Sequence, residues 1–260
     1  MATKYPIILV HGFLIKDIGL IKSFGRIDKM LKEKGYIVYK SRVDSFGAVE
    51  TNADILKAEV AKVLKENNVD KVNIIAHSKG GLDAKYMIEH YAMYEQIASL
   101  TTLCTPHKGS PIASKILKYP KWLLKITAFW INLWFKILGD KKPNAYKLCE
   151  QLATINSVEE ETFKLCNEVY CQSYSTTLKR SRDDFVMGIP FIFFHHLEKD
   201  KENDGVVSAE SAQFCQYKGN PFNESVSHSE IIDFMVTKKK KDKIYAFWNM
   251  IVEDLAARGF

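Results

Sequence analysis

The stretch from Val72 to Gly81 constrains what this chain can fold into more than any other. Val72-Asn73-Ile74-Ile75-Ala76 runs without a break into His77-Ser78-Lys79-Gly80-Gly81, and a helical pattern follows from Leu82 to about Tyr94. The apolar, β-branched run reads as a strand buried on both faces. Small residues two before and two after the serine, Ala76 and Gly80, permit a tight strand-to-helix turn. Such a turn lifts the Ser78 hydroxyl clear of the sheet and sets it at a helix N-terminus, where free N–H groups and the dipole favour developing negative charge. The bland alternative is a serine that merely caps the helix.

The rest of the chain supplies a frame for that turn. Ile7-Ile8-Leu9-Val10 is a second continuous apolar run and ends in His11-Gly12-Phe13, while Tyr36 to Val43 and Leu100 to Cys104 also read as strands. Helical stretches separate them, roughly 21 to 34 and one carrying Ile55, Val60, Val63 and Leu64 on one side. Strands alternating with helices imply a parallel sheet covered on both faces. The alternation stops between 112 and about 139 and resumes at Val169 to Ser175, followed by the apolar stretch Phe185 to Phe194 and the turn Asn203-Asp204-Gly205. A final helix of about 242–257 closes a chain of 260 residues, a size that suits one domain.

A serine hydroxyl is a poor nucleophile until an imidazole takes its proton and a carboxylate holds that imidazole's tautomer. In α/β-hydrolases, whose elbow has the form seen around Ser78, the chain order is serine, acid, histidine. His228, in the polar loop Ser225-Val226-Ser227-His228-Ser229-Glu230, is the histidine late enough to serve. His195 and His196 sit in an apolar stretch and are expected to be packed, and His77 is expected to point away from the cleft. Asp204 is the best candidate acid, against the plainer reading of a turn aspartate bonded to its own backbone, with Asp200 and Asp184 behind it. The oxyanion hole needs two backbone N–H groups, expected from Lys79 after the nucleophile and Phe13 after the first strand.

The chain resembles the bacterial true lipases, the Pseudomonas, Burkholderia and Proteus group of triacylglycerol lipases. The resemblance is carried by Tyr5 to Phe13, Val72 to Leu82, Thr105-Pro106-His107-Lys108-Gly109-Ser110 and Asn203-Asp204-Gly205-Val206-Val207-Ser208. It implies an α/β-hydrolase fold, a mostly parallel sheet flanked by helices with a helical lid insertion at about 112–165. It also implies Asp204 and His228 as acid and base, and a serine-dependent attack on acylglycerol esters through an acyl-enzyme. No cofactor is needed for that chemistry. Many relatives hold the histidine loop with a structural calcium; Glu230 and Asp184 are the carboxylates available here, while the usual amide ligand is replaced near Phe234.

The insertion has its own character. On a helical wheel, Lys118, Lys121, Lys125, Asn132 and Lys136 form a narrow stripe, and Trp122, Ile126, Phe129, Trp130, Leu133, Trp134 and Ile137 cover the rest. The segment is too short and too interrupted by lysine to span a membrane. It reads as a lid whose apolar face covers the cleft in water and turns outward at a lipid–water interface.

Five cysteines, Cys104, Cys149, Cys166, Cys171 and Cys215, make an odd count without zinc-type spacing, and are expected to be reduced packing residues without disulfide or metal. The formal net charge of +6 lies in scattered lysines and the run Lys238 to Lys241, expected to be a solvated helix face and not a nucleic-acid site. Met1 to Lys4 run straight into the first strand, so a Sec-type leader is not expected and the protein should be cytoplasmic or exported by another route. Two rival functions share this pattern: a soluble carboxylesterase or thioesterase acting on short acyl groups, and a non-catalytic binding protein of the same fold.

Overall fold

Six strands make one sheet: Ile7–Val10 (β1), Val38–Lys40 (β2), Val72–His77 (β3), Ile97–Leu103 (β4), Tyr170–Tyr174 (β5) and Gln216–Tyr217 (β6). Their order in the computed structural model is β2-β1-β3-β4-β5-β6, and every neighbouring pair is parallel. The structure describes residues 2–13, 17, 22–154, 159–197 and 201–260.

Strands β1, β3 and β4 are buried along their whole length, because side chains alternate between two covered faces. Ile8, Val10, Ile74 and Leu100 pack against Leu56 and Val60 of α2 (Val49–Asn67) and Met87 and Ile88 of α3 (Lys79–His90). Ile7, Leu9 and Ile75 face the other way, toward Ile27 and Leu31 of α1 (Ile27–Glu33) and toward Trp248 and Ile251 of α9 (Lys238–Ala257). The helix expected from about 21 thus begins at 27, and Ile21 lies outside the described residues.

Between β4 and β5 come α4 (Pro111–Ile116), α5 (Lys121–Ile137), α6 (Ala145–Thr154) and α7 (Glu159–Glu168). The last of these packs on α3 and β5, leaving α4 to α6 as the elements over the sheet's C-terminal edge. A reciprocal clasp fixes the end of α5. Asp140 accepts hydrogen bonds from the Ser45 and Phe46 N–H groups at 3.1 and 2.9 Å, and Asp44 accepts from the Lys141 and Lys142 N–H groups at 2.8 and 2.6 Å.

Three expectations are corrected. Cys166 and Cys215 form a disulfide with Cα atoms 5.6 Å apart, tying α7 to the residue before β6; an odd count cannot reveal a pairing that depends on two distant segments meeting. Phe185, itself exposed, leads into α8 (Gly188–Leu197), which buries Phe194 but leaves Ile189, Ile192 and Phe193 exposed. His195 and His196 follow on its last turn and are exposed, not packed. Of the lysine run, Lys238 and Lys239 are exposed as expected, but Lys240 turns inward to an ion pair with Glu230.

Candidate active site

The turn after β3 is built as the sequence requires. Ser78 has φ +55°, a conformation costly for a residue with a side chain, which must be held by its surroundings. The Ser78 N–H donates to Leu103 O at 2.9 Å, and the Thr105 hydroxyl donates to Ser78 O at 2.8 Å. A Cβ on Gly80 would come within 2.6 Å of the Val10 and His11 carbonyl oxygens, so only glycine lets α3 start against the end of β1. One on Gly12 would meet Ser78 Cβ at 2.5 Å.

Asp204 serves two purposes at once. Its Oδ1 accepts from the Val206 and Val207 N–H groups at 3.0 and 2.8 Å, closing a tight turn, while Oδ2 lies 2.7 Å from His228 Nδ1. The plain turn aspartate and the acid partner are therefore the same residue. The His228 N–H also donates to Asp204 O at 2.9 Å, locking the two loops together. Asp184 accepts from Val186 and Met187 N–H groups and from the Ser227 and Ser229 hydroxyls, and not from His228. Asp200 lies outside the described residues.

His77 stays out of the cavity, as expected, but braces the base. Its ring lies against that of His228 with centroids 4.5 Å apart, and its Nε2–H donates to His228 O at 2.9 Å, since a carbonyl can only accept. Burial, with His228 and His11 adding, pushes the His77 pKa well below 6.5, which keeps the ring a neutral brace. Cys104 is a second contributor that the sequence did not single out: its sulfur lies within 4.8 Å of ligand atoms of Asp204 and His228. Burial and the Asp204 charge drive its pKa well up, so it is held as a neutral thiol.

Phe13, Ser78 and Lys79 line one apolar cavity of about 250 Å³. Among the described residues, the N–H groups of Phe13 and Lys79 carry no hydrogen bond, the state required of oxyanion donors. The Lys79 side chain is turned away and buried, its ammonium 2.7 and 3.0 Å from the Asp83 carboxylate, to which Asn52 also donates at 2.9 Å. Burial nonetheless raises the Asp83 pKa to about 6.

Helix α5 contributes to this cavity with a face other than the expected one. Leu124, Thr127, Ala128 and Ile131 of α5 line it, with Ile112, Leu148 and Leu152 from α4 and α6. Trp122, Ile126, Phe129, Trp130, Leu133 and Trp134 are exposed on the outer side. The helix is apolar on two opposite sides, and a wheel cannot tell which one meets the core. Asn132 leaves the solvated stripe as well, accepting from the Ala145 N–H at 2.8 Å.

The calcium that the lipase resemblance implies does not fit these residues. Both Glu230 oxygens are taken by the Lys240 ammonium at 2.8 and 2.7 Å. Asp184 is saturated by two N–H groups and two hydroxyls. The two carboxylates that would have to coordinate a hard cation, which needs several oxygen ligands, are thus already committed to protein donors.

His107 is buried, stacked on Phe214 at 4.1 Å, with Nε2 3.1 Å from Thr102 Oγ1. Burial, and secondarily Lys85, lowers its pKa from 6.5 to about 3. The unfolded chain therefore takes up this proton first as pH falls. The contribution is complete above pH about 6.5 and is lost between about 6.5 and 3, roughly 4 to 5 kcal/mol in all. Tm against pH should fall less steeply across that window in His107→Gln than in the wild type, and parallel curves would exclude this origin.

Comparison with known proteins places the site in context. The family model described as palmitoyl protein thioesterase matches residues 6–176. The chain is 29% identical to triacylglycerol lipase 2 of Saccharomyces cerevisiae, over 90% of this chain and 73% of that protein. It is 29% identical to the triacylglycerol lipase of Burkholderia plantarii over 62% of this chain, and that alignment spans 48% of the bacterial protein, about half its length. Staphylococcus hyicus lipase superposes with a TM-score of 0.69 at 17% identity, covering 98% of this chain and 96% of that one, a likeness of fold.

Proposed function

We propose that this chain, which belongs to the palmitoyl protein thioesterase family, is a lipase that hydrolyses the carboxylic ester bonds of acylglycerols with Ser78 as nucleophile. The observation that carries the reading is the 2.7 Å contact between His228 and Asp204 beside an apolar cavity that Ser78 lines. His228 accepts the Ser78 proton as Oγ bonds to the ester carbonyl carbon, and the Phe13 and Lys79 N–H groups hold the oxyanion. Collapse of the tetrahedral adduct breaks the acyl C–O bond, and His228 returns the proton to the departing alcohol. Water, deprotonated by the same imidazole, then attacks the acyl-enzyme and releases the fatty acid. Asp204 orients His228 throughout, and no step calls on a cofactor.

Similarity to the Burkholderia plantarii enzyme and the motifs around Phe13, Ser78 and Asp204 support the finer placement beside the bacterial true lipases. No helix among the described residues is long and apolar enough to cross a membrane. The Cys166–Cys215 disulfide favours an oxidising compartment over the cytoplasm.

The outer face of α5 and the exposed Ile189, Ile192 and Phe193 of α8 form the surface that meets lipid, and α8 packs on α4, which leads into α5. No acidic residue occurs between Glu95 and Asp140, which suits an anionic interface. Hydrolysis of emulsified triolein should exceed that of dissolved p-nitrophenyl butyrate. Trp130→Ser with Trp134→Ser should cut the former at least about tenfold and spare the latter; equal losses on both substrates would remove the interfacial role. The family's description keeps thioesters as a second reading, and palmitoyl-CoA cleaved faster than triolein would favour it.

A further inference from the structure

We infer that Lys240 is a positioning residue for catalysis, an internal cation that holds the His228 loop where a bound metal would otherwise be needed. The inference rests on His228 being the base proposed above. Two buried carboxylates brace this loop. Glu230, 2% exposed, accepts from the Ser227 N–H at 3.0 Å, and its own N–H donates to Ser227 Oγ at 3.2 Å. Asp184 receives the hydroxyls of Ser227 and Ser229, the residues on either side of His228. The imidazole therefore hangs from a short segment gripped by negative charge on two sides.

A buried carboxylate tolerates this only when something opposes its charge. Lys240 does so with a two-pronged contact on Glu230. Its placement has no other evident purpose. It lies in the first turn of α9, which holds no acidic residue and where the positive end of the helix dipole disfavours lysine. Lys238 and Lys239 stay in solvent while Lys240 folds inward, half-buried. Asp233, the other carboxylate nearby, is already engaged by the Arg26 N–H and the Tyr245 hydroxyl.

Without Lys240, the Glu230 carboxylate would be drawn toward water and would carry Ser227 and His228 with it. A displacement near 1 Å in a catalytic group costs about 100-fold in rate. In the full chain, Lys240→Ala should lower kcat on dissolved p-nitrophenyl butyrate by about 10- to 100-fold with KM changed less than about threefold, while Lys240→Arg stays within about threefold of wild type. Fluorophosphonate labelling of Ser78 should slow by the same factor as kcat. The wild type should keep full activity in excess EDTA, an arm that decides the matter even if Lys240→Ala does not fold. A Lys240→Ala kcat within twofold of wild type, or wild-type activity lost to EDTA and restored by calcium, overturns the inference. Failure of the wild type itself to label at Ser78 would instead sink the proposed function.

Discussion

Ser78→Ala should lower kcat on every ester by about 10⁴- to 10⁶-fold while leaving the fold intact. The effect is that large because the hydroxyl is the bond-forming atom and nothing beside it can replace it: His77 is held by His228 O, and the Cys104 thiol sits behind the acid with its pKa raised. Residual hydrolysis above the water rate should persist, since Phe13 and Lys79 N–H groups would still polarise a bound carbonyl. Substrate binding should change little, because the cavity is walled by α4, α5 and α6. The check is kcat and KM for a p-nitrophenyl ester chain-length series together with fluorophosphonate labelling. An unchanged mutant rate would remove Ser78 from the mechanism.

Asp204→Asn is the second large effect, about 10⁴-fold in kcat, and this site dictates why the amide cannot adapt. Oδ1 of Asp204 accepts two backbone N–H groups, from Val206 and Val207. An asparagine must therefore keep its carbonyl oxygen there and present its NH₂ to His228 Nδ1. That nitrogen then becomes an acceptor, the ring proton moves to Nε2, and the imidazole loses the lone pair it needs for the Ser78 proton. Turning the amide over would set NH₂ against two N–H donors. Tm should shift far less than the activity, because the turn keeps its acceptor. An Asn variant retaining more than a tenth of wild-type kcat would show that Asp204 does not set the tautomer.

Much of this molecule was readable before any fold was known, wherever the signal is local. The buried runs at Ile7–Val10 and Val72–His77 are strands because continuous β-branched apolar residues suit a two-sided sheet. The short β6 and the extent of α8 carried no such signal: two polar residues can join a sheet edge, and an apolar stretch of about ten residues suits a strand or a helix equally. The turn chemistry around Ser78 and Asp204 was also local: Ser78 lines the cavity, and Asp204 lies buried behind it against His228.

The chain by itself determined the nucleophile turn, the alternation that makes a parallel sheet, and the residue types able to complete a hydrolytic site, because each depends on neighbours a few positions apart. Only the tertiary structure decided which side of α5 faces the cavity, that Cys166 meets Cys215, that His77 leans on His228, and that Lys240 reaches Glu230. Those outcomes depend on segments tens to hundreds of residues apart arriving at one place, where burial leaves a charge or a thiol few choices of partner.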